Sequence, residues 1–185
     1  MVIRLEPREL TDGELRLRPW RQEDVPAMAE ACRDPEIVRW TRVPKNYTED
    51  DAREVIAASD ERWRRGEAAG FAVTDAATAE VLGSIGVRFV DPGYGRIGLI
   101  GYWTSPEARG RGVATRALRL LSRWALEELE LPRVELLTEP ENRPSQLVAE
   151  NAGFRREGLL RNYLELKGHR SDGVLYSLVA SDLEG

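Results

Sequence analysis

The chain has 185 residues, 42% apolar and 32% charged, and its 27 basic and 32 acidic side chains leave a net charge of −5. A chain of this length buries about 70% of its unfolded surface, so one domain over residues 1–185 is expected and general disorder is excluded. The acidic balance excludes a basic nucleic-acid footprint, no apolar run reaches the roughly 20 residues of a membrane helix, and one cysteine with one histidine excludes an intrachain disulfide or a Cys/His zinc cluster.

Residues 1–10 lack the apolar core of a signal peptide, so a cytoplasmic protein without structural metal is expected. Leu15-Arg16-Leu17-Arg18 alternates with period two and stops at Pro19, which predicts a short strand. Residues 22–33 carry Val25, Met28, Ala29 and Cys32 at helical spacing, with Asp24 near the start. Asp34-Pro35 interrupts, and a short segment over 36–40 leads to Pro44. Thr48 with Asp51 is a variant capping box, opening a helix that stops near Gly66 and places Ala52, Val55, Ile56, Ser59 and Trp63 on one face.

Strands are predicted over 71–73 and 81–90, the second with Ile85, Val87 and Phe89 on one face, followed by a turn over 91–95. Residues 97–103 are apolar on both faces, the pattern of a doubly covered central strand; interior Gly98 and Gly101 mark a bulge or a close approach. A helix opening at about Ala114 places Ala114, Ala117, Leu118, Leu121 and Ala125 on a buried stripe and ends near Leu129. A strand over 133–138, a short helix over 145–152 stopped by Gly153, and strands over 154–166 and 174–179 around a 168–173 turn complete a mixed α+β order.

The loop Pro106-Glu107-Ala108-Arg109-Gly110-Arg111-Gly112-Val113-Ala114 joins a strand to a helix. First-turn amides lack intrahelical partners and carry the positive end of the helix dipole, so this is a site for a phosphate. The Gly-Lys-Ser/Thr ending of a P-loop and the G-x-G-x-x-G of dinucleotide folds are both missing. A basic helix start whose glycines serve only as a turn stays open beside the phosphate reading.

Arg109-x-x-Gly112-x-Ala114 resembles the Gln/Arg-x-x-Gly-x-Gly/Ala signature of the GNAT superfamily of acyl-CoA-dependent N-acyltransferases. Asn142-Arg143-Pro144-Ser145 followed by Glu150-Asn151-Ala152-Gly153-Phe154 is similar to a second segment of that family. Leu17-Arg18-Pro19-Trp20, Asp34-Pro35-Glu36-Ile37, Gly101-Tyr102-Trp103 and Glu157-Gly158-Leu159-Leu160-Arg161 resemble its Rim-type branch, which includes N-terminal acetyltransferases of ribosomal proteins. The resemblance implies a mixed, mostly antiparallel sheet of six to seven strands flanked by about four helices. It implies acetyl-CoA as cosubstrate and a primary amine, small-molecule or protein N-terminus, as acceptor.

Carried over residue by residue, it implies that Arg109, Gly110, Arg111, Gly112, Val113, Ala114 and Thr115 hold the pyrophosphate. The backbone at Tyr102, Trp103 and Thr104 lies along the pantetheine, and Asn142 bonds it or caps a helix. Ser145 serves the departing thiolate or is a plain cap; the tyrosine many relatives use falls on Ala149 here. The branch's glutamate aligns with Leu164, one residue before Glu165, so Glu165, Glu139, Glu141 and ordered water all stay open as base. The donor site is expected where two strands part, near the 97–103 and 133–138 strands. The acceptor pocket is expected from Trp20, residues 36–43 and the 168–173 hairpin. A non-catalytic acyl-CoA sensor and a succinyl-CoA enzyme are the competing readings, and homodimerisation stays open. Cys32 reads as a small buried residue.

Overall fold

A computed structural model describes residues 5–184. Among the described residues, alternating apolar runs build eight strands: β1 (Leu10–Thr11), β2 (Leu15–Arg18), β3 (Ala68–Asp75), β4 (Val81–Val90), β5 (Ile97–Thr104), β6 (Val134–Thr138), β7 (Arg155–Leu166) and β8 (His169–Leu178). They form one sheet in the order β1-β2-β3-β4-β5-β6-β8-β7, antiparallel except where β5 meets β6. Five α-helices among the described residues cover it: α1 (Val25–Ala31), α2 (Pro35–Trp40), α3 (Glu49–Arg65), α4 (Val113–Glu127) and α5 (Arg143–Asn151).

The expected counts therefore rise by one each. β1 has two residues, too few for periodicity to register. α2 comes from a local signal: Pro35 opens it, and Asp34 caps it by accepting from the amides of Glu36 (3.1 Å) and Ile37 (3.0 Å). The 22–33 segment is not one helix, because Gln22–Asp24 forms a tighter 3-10 turn ahead of α1. Asp24 is fixed there by the Arg18 guanidinium, whose two nitrogens reach its carboxylate at 2.7 and 2.8 Å in a buried fork.

The capping box at α3 forms: the Asp51 carboxylate accepts from the Thr48 amide at 2.8 Å, and the Asp51 amide donates to Thr48 Oγ1 at 3.2 Å. The helix ends at Gly66 in the left-handed region, φ 64°. α1 and α3 pack Met28, Cys32, Ala52 and Ile56 on one sheet face, with Trp20, Ala72 and Trp103. Val55 departs from the expected stripe; it sits at its rim and is 44% exposed. On the other face α4 buries Ala117, Leu118, Leu121 and Ala125 against Ile85, Val87 and Ile100 of the sheet.

Gly98 is a true close approach: a Cβ there would lie 2.7 Å from Val87 Cγ2 and 3.2 Å from Val134 Cγ1. The doubly covered reading of β5 holds only for its first half, since Gly101 is exposed and Tyr102, Trp103 and Thr104 are half-buried. The last hairpin is tighter than expected. Its turn is only Lys167 and Gly168, both at positive φ (52° and 76°), the geometry of a two-residue hairpin loop, and β8 begins at His169.

Candidate active site

β5 and β6 start as a parallel pair, Gly98 beside Val134, Leu99 beside Glu135 and Ile100 beside Leu136. Beyond Ile100 the pairing stops; β5 continues along β4 while β6 stays with β8. The strands part, and Gly101 to Thr104 present backbone groups on that side with no ladder partner in β6. The gap widens into a cleft of about 1020 Å³, floored by β5 and β6 and walled by α2, α4, α5 and β7. Trp103, Thr104, Arg109, Gly110, Gly112, Val113, Ala114, Thr115, Asn142 and Ser145 all line it, which brings together residues from three separate stretches of sequence. Arg111 is the departure from the expected set. It is exposed and does not line the cleft, and its charge reinforces the Thr78 and Ala77 amides that hold the Asp75 carboxyl below the usual range.

The loop into α4 owes its shape to two glycines, Gly110 (φ 71°) and Gly112 (φ 73°), in the region where other side chains are strained. Gly112 caps α4, and Arg116 is the first residue whose amide reaches back, to the Gly112 carbonyl at 3.1 Å. The amides of Val113, Ala114 and Thr115 have no acceptor in their own helix. A Cβ at Gly110 or Gly112 would meet nothing within 4 Å, so space lies open above the loop. Arg109 turns instead to Asp34, whose carboxylate thus caps α2 and holds the loop arginine at once. Sequence reasoning missed that partnership, although Asp-Pro at a helix start was the readable half of it.

Across the cleft, Asn142 Oδ1 accepts from the Ser145 amide at 3.2 Å and caps α5. Ser145 Oγ lies 2.9 Å from the hydroxyl of Tyr102, contributed by β5 from the floor. Burial raises the Tyr102 phenol to about 12, against the opposing effect of the Ser145 contact. Ala149, where a hydroxyl was sought, is buried in the core.

A second cavity of about 380 Å³ continues the cleft past Glu139 and Trp40, lined also by Arg39, Glu141, His169 and Asp172. Residues 36–42 and the start of β8 thus meet as expected; Lys167 Nζ fastens the hairpin to the Val38 carbonyl. Trp40 donates its indole N–H to Glu36 at 2.9 Å, with the Arg39 guanidinium 4.3 Å above its ring. Trp20 is not part of this wall; it is buried with its ring centroid 6.2 Å from that of Trp103. The register question on β7 has a structural answer. Asn162 takes φ 53° and the pairing jumps from Leu160–Gly173 to Leu164–Ser171, and with that irregularity both Leu164 and Glu165 line the cleft. Glu165 is occupied by Arg170 at 3.0 Å. Cys32 is 2% exposed, and burial raises its thiol to about 12.

The sheet thus splits between two parallel strands, and the gap faces the amide-rich start of a helix. The chain belongs to the GNAT acetyltransferase family: the Acetyltransferase (GNAT) domain matches residues 14–155. It is 31% identical over 171 residues to the uncharacterized N-acetyltransferase p20 of Bacillus licheniformis, covering 92% of this chain and 96% of that one. It is 27% identical over 132 residues to the ribosomal-protein-serine acetyltransferase of Escherichia coli K12, covering 71% and 72%. Among solved structures, Mycobacterium smegmatis RimJ in complex with CoA-disulfide superposes with a TM-score of 0.84 at 28% identity, over 98% of this chain and 89% of that one. The similarity thus runs to the Rim-type branch, and the chain is an N-acetyltransferase by family.

Proposed function

We propose that residues 1–185 work as one domain that transfers an acetyl group from acetyl-CoA to a primary amine, in a ternary complex without a covalent enzyme intermediate. The observation that carries this is the cleft itself, where the amides behind Gly112 and the unpaired edge of β5 face one continuous space. The amides of Val113, Ala114 and Thr115 hold the pyrophosphate, and Arg109 and Gly110 shape the loop that receives it. Trp103 and Thr104 offer backbone groups to the pantetheine arm, with Asn142 opposite. The amine nitrogen attacks the acetyl carbon, the C–N bond forms, and the C–S bond breaks with its electron pair on sulfur. Ser145 donates a hydrogen bond to that thiolate, and the surplus ammonium proton leaves to water in the open cleft. Holding both reactants in line supplies most of the rate. Cys32 takes no part, since its thiol is buried and protonated.

The acceptor enters by the smaller cavity, between α2 and the β7–β8 hairpin. A protein N-terminus is the acceptor favoured here, because a relative aligned over 71% of the chain is named a ribosomal-protein-serine acetyltransferase. The test is the melting temperature with acetyl-CoA, CoA and succinyl-CoA, followed by thiol release with a panel of N-terminal peptides and small amines. At a hundredfold excess over Kd, linkage gives about 2.7 kcal/mol, or roughly 5–10 °C. No shift with any of the three would refute the donor site.

A further inference from the structure

Ser145 and Tyr102 are 43 positions apart, one on the α5 wall and one on the β5 floor of the cleft, and their hydroxyls are 2.9 Å apart. Among the described residues neither hydroxyl has another protein partner. A lone serine hydroxyl at a helix start rotates freely, and its proton points wherever water or a carbonyl draws it. Either hydroxyl could donate across this contact, and because a phenol is a much stronger acid than an aliphatic alcohol, the chemistry favours Tyr102 as the donor. Burial keeps it protonated, its hydroxyl titrating only at about 12. Ser145 is the third residue of α5, so its Oγ sits at the positive end of that helix.

We propose that Tyr102 is a positioning residue: by donating to Ser145 Oγ it occupies the serine's acceptor side and leaves the serine proton aimed into the cleft, at the departing sulfur. The same bond polarises the Ser145 O–H and makes it a stronger donor to an anion. The pair thus answers for the tyrosine that Ala149 replaces. The acid function is divided, with the serine touching sulfur and the phenol touching only the serine. No proton leaves Tyr102; the thiolate departs hydrogen-bonded, and the ammonium proton goes to solvent. This inference rests on the acetyl-transfer reading above.

The experiment measures the thiol pKa of CoA bound to the protein, from thiolate absorbance with the desulfo-CoA complex as blank. It compares wild type, Ser145→Ala, Tyr102→Phe and the double variant. A hydrogen bond to a charged group is expected to hold the bound thiol about one pK unit lower in wild type than in Ser145→Ala. Tyr102→Phe should recover a measurable part of that shift although it does not touch sulfur, and should add nothing in the Ser145→Ala background. Desulfo-CoA affinity should be equal in all four, which shows the site intact. A Tyr102→Phe thiol that titrates like wild type overturns the proposal. So does an effect that persists undiminished without Ser145, since Tyr102 would then act on sulfur directly. If neither CoA nor acetyl-CoA shifts the melting temperature, the donor reading falls first and takes this inference with it. CoA binding with a thiol insensitive to both substitutions overturns this inference alone.

Discussion

Replacing Gly112 by alanine and by aspartate separates strain from charge at the start of α4. Gly112 stands at φ 73°, and a Cβ there would meet no atom within 4 Å. Both variants therefore carry the left-handed penalty of about 1–2 kcal/mol without a clash. For a chain of this size that lowers the melting temperature by about 2–8 °C, less for aspartate, which tolerates the left-handed region and caps a helix start better than alanine. Binding should part them. The aspartate carboxylate would sit beside the amides of Val113, Ala114 and Thr115, where the pyrophosphate is placed. At about 4 Å each like charge costs about 1 kcal/mol in water and about 4 at an effective dielectric of 20. Two phosphate charges then give at least about 2 kcal/mol, a thirtyfold weaker Kd for Asp than for Ala. Calorimetric titration with acetyl-CoA at low and high salt measures it, and the gap should narrow with salt. Equal affinities for the two variants would refute placing the pyrophosphate on this helix.

Two further outcomes test the fold and the chemistry. Arg133 grips Glu157 at 2.6 and 2.7 Å and, with Ser177, holds its carboxyl down at about 2. A lowered folded pKa gives stability that is present above the unfolded value of about 4.5 and is lost as pH falls toward 2. The Glu157 side chain is 40% exposed, so solvent screening limits the gain to about 1 kcal/mol or less. Glu157→Gln should be less stable than wild type at pH 7 by that amount and equal to it near pH 2 in urea titrations; a gap that grows on acidification contradicts the pairing. Cys32→Ala should keep full turnover and lose about 1 kcal/mol of stability from the α1–α3 core; an inactive but folded variant would revive a covalent route.

What the sequence determines by itself is whatever a single element can encode. The alternation over β4, the stripe of α4, the Thr48–Asp51 box with Gly66 and the glycine pair at 110 and 112 are each set by side-chain period, capping chemistry or the φ freedom of glycine within about twenty residues. The capped Asp34-Pro35 start of α2 carried the same kind of signal, and the neighbouring short segment concealed it. The tertiary structure decided everything that depends on which elements become neighbours. The parting of β5 from β6, the Asp34–Arg109 tie and the Tyr102–Ser145 bond join residues 36 to 75 positions apart. The turn at Asn162 that lets Leu164 and Glu165 both face the cleft is held by Asp172, ten residues on. Arg111 shows the converse: its residue type and place in the motif argue for an anion, yet it is exposed and is not among the residues that line the cleft. A local pattern fixes the conformation of a segment, whereas the direction in which a side chain finally points is set by long-range pairing that no short-range period records.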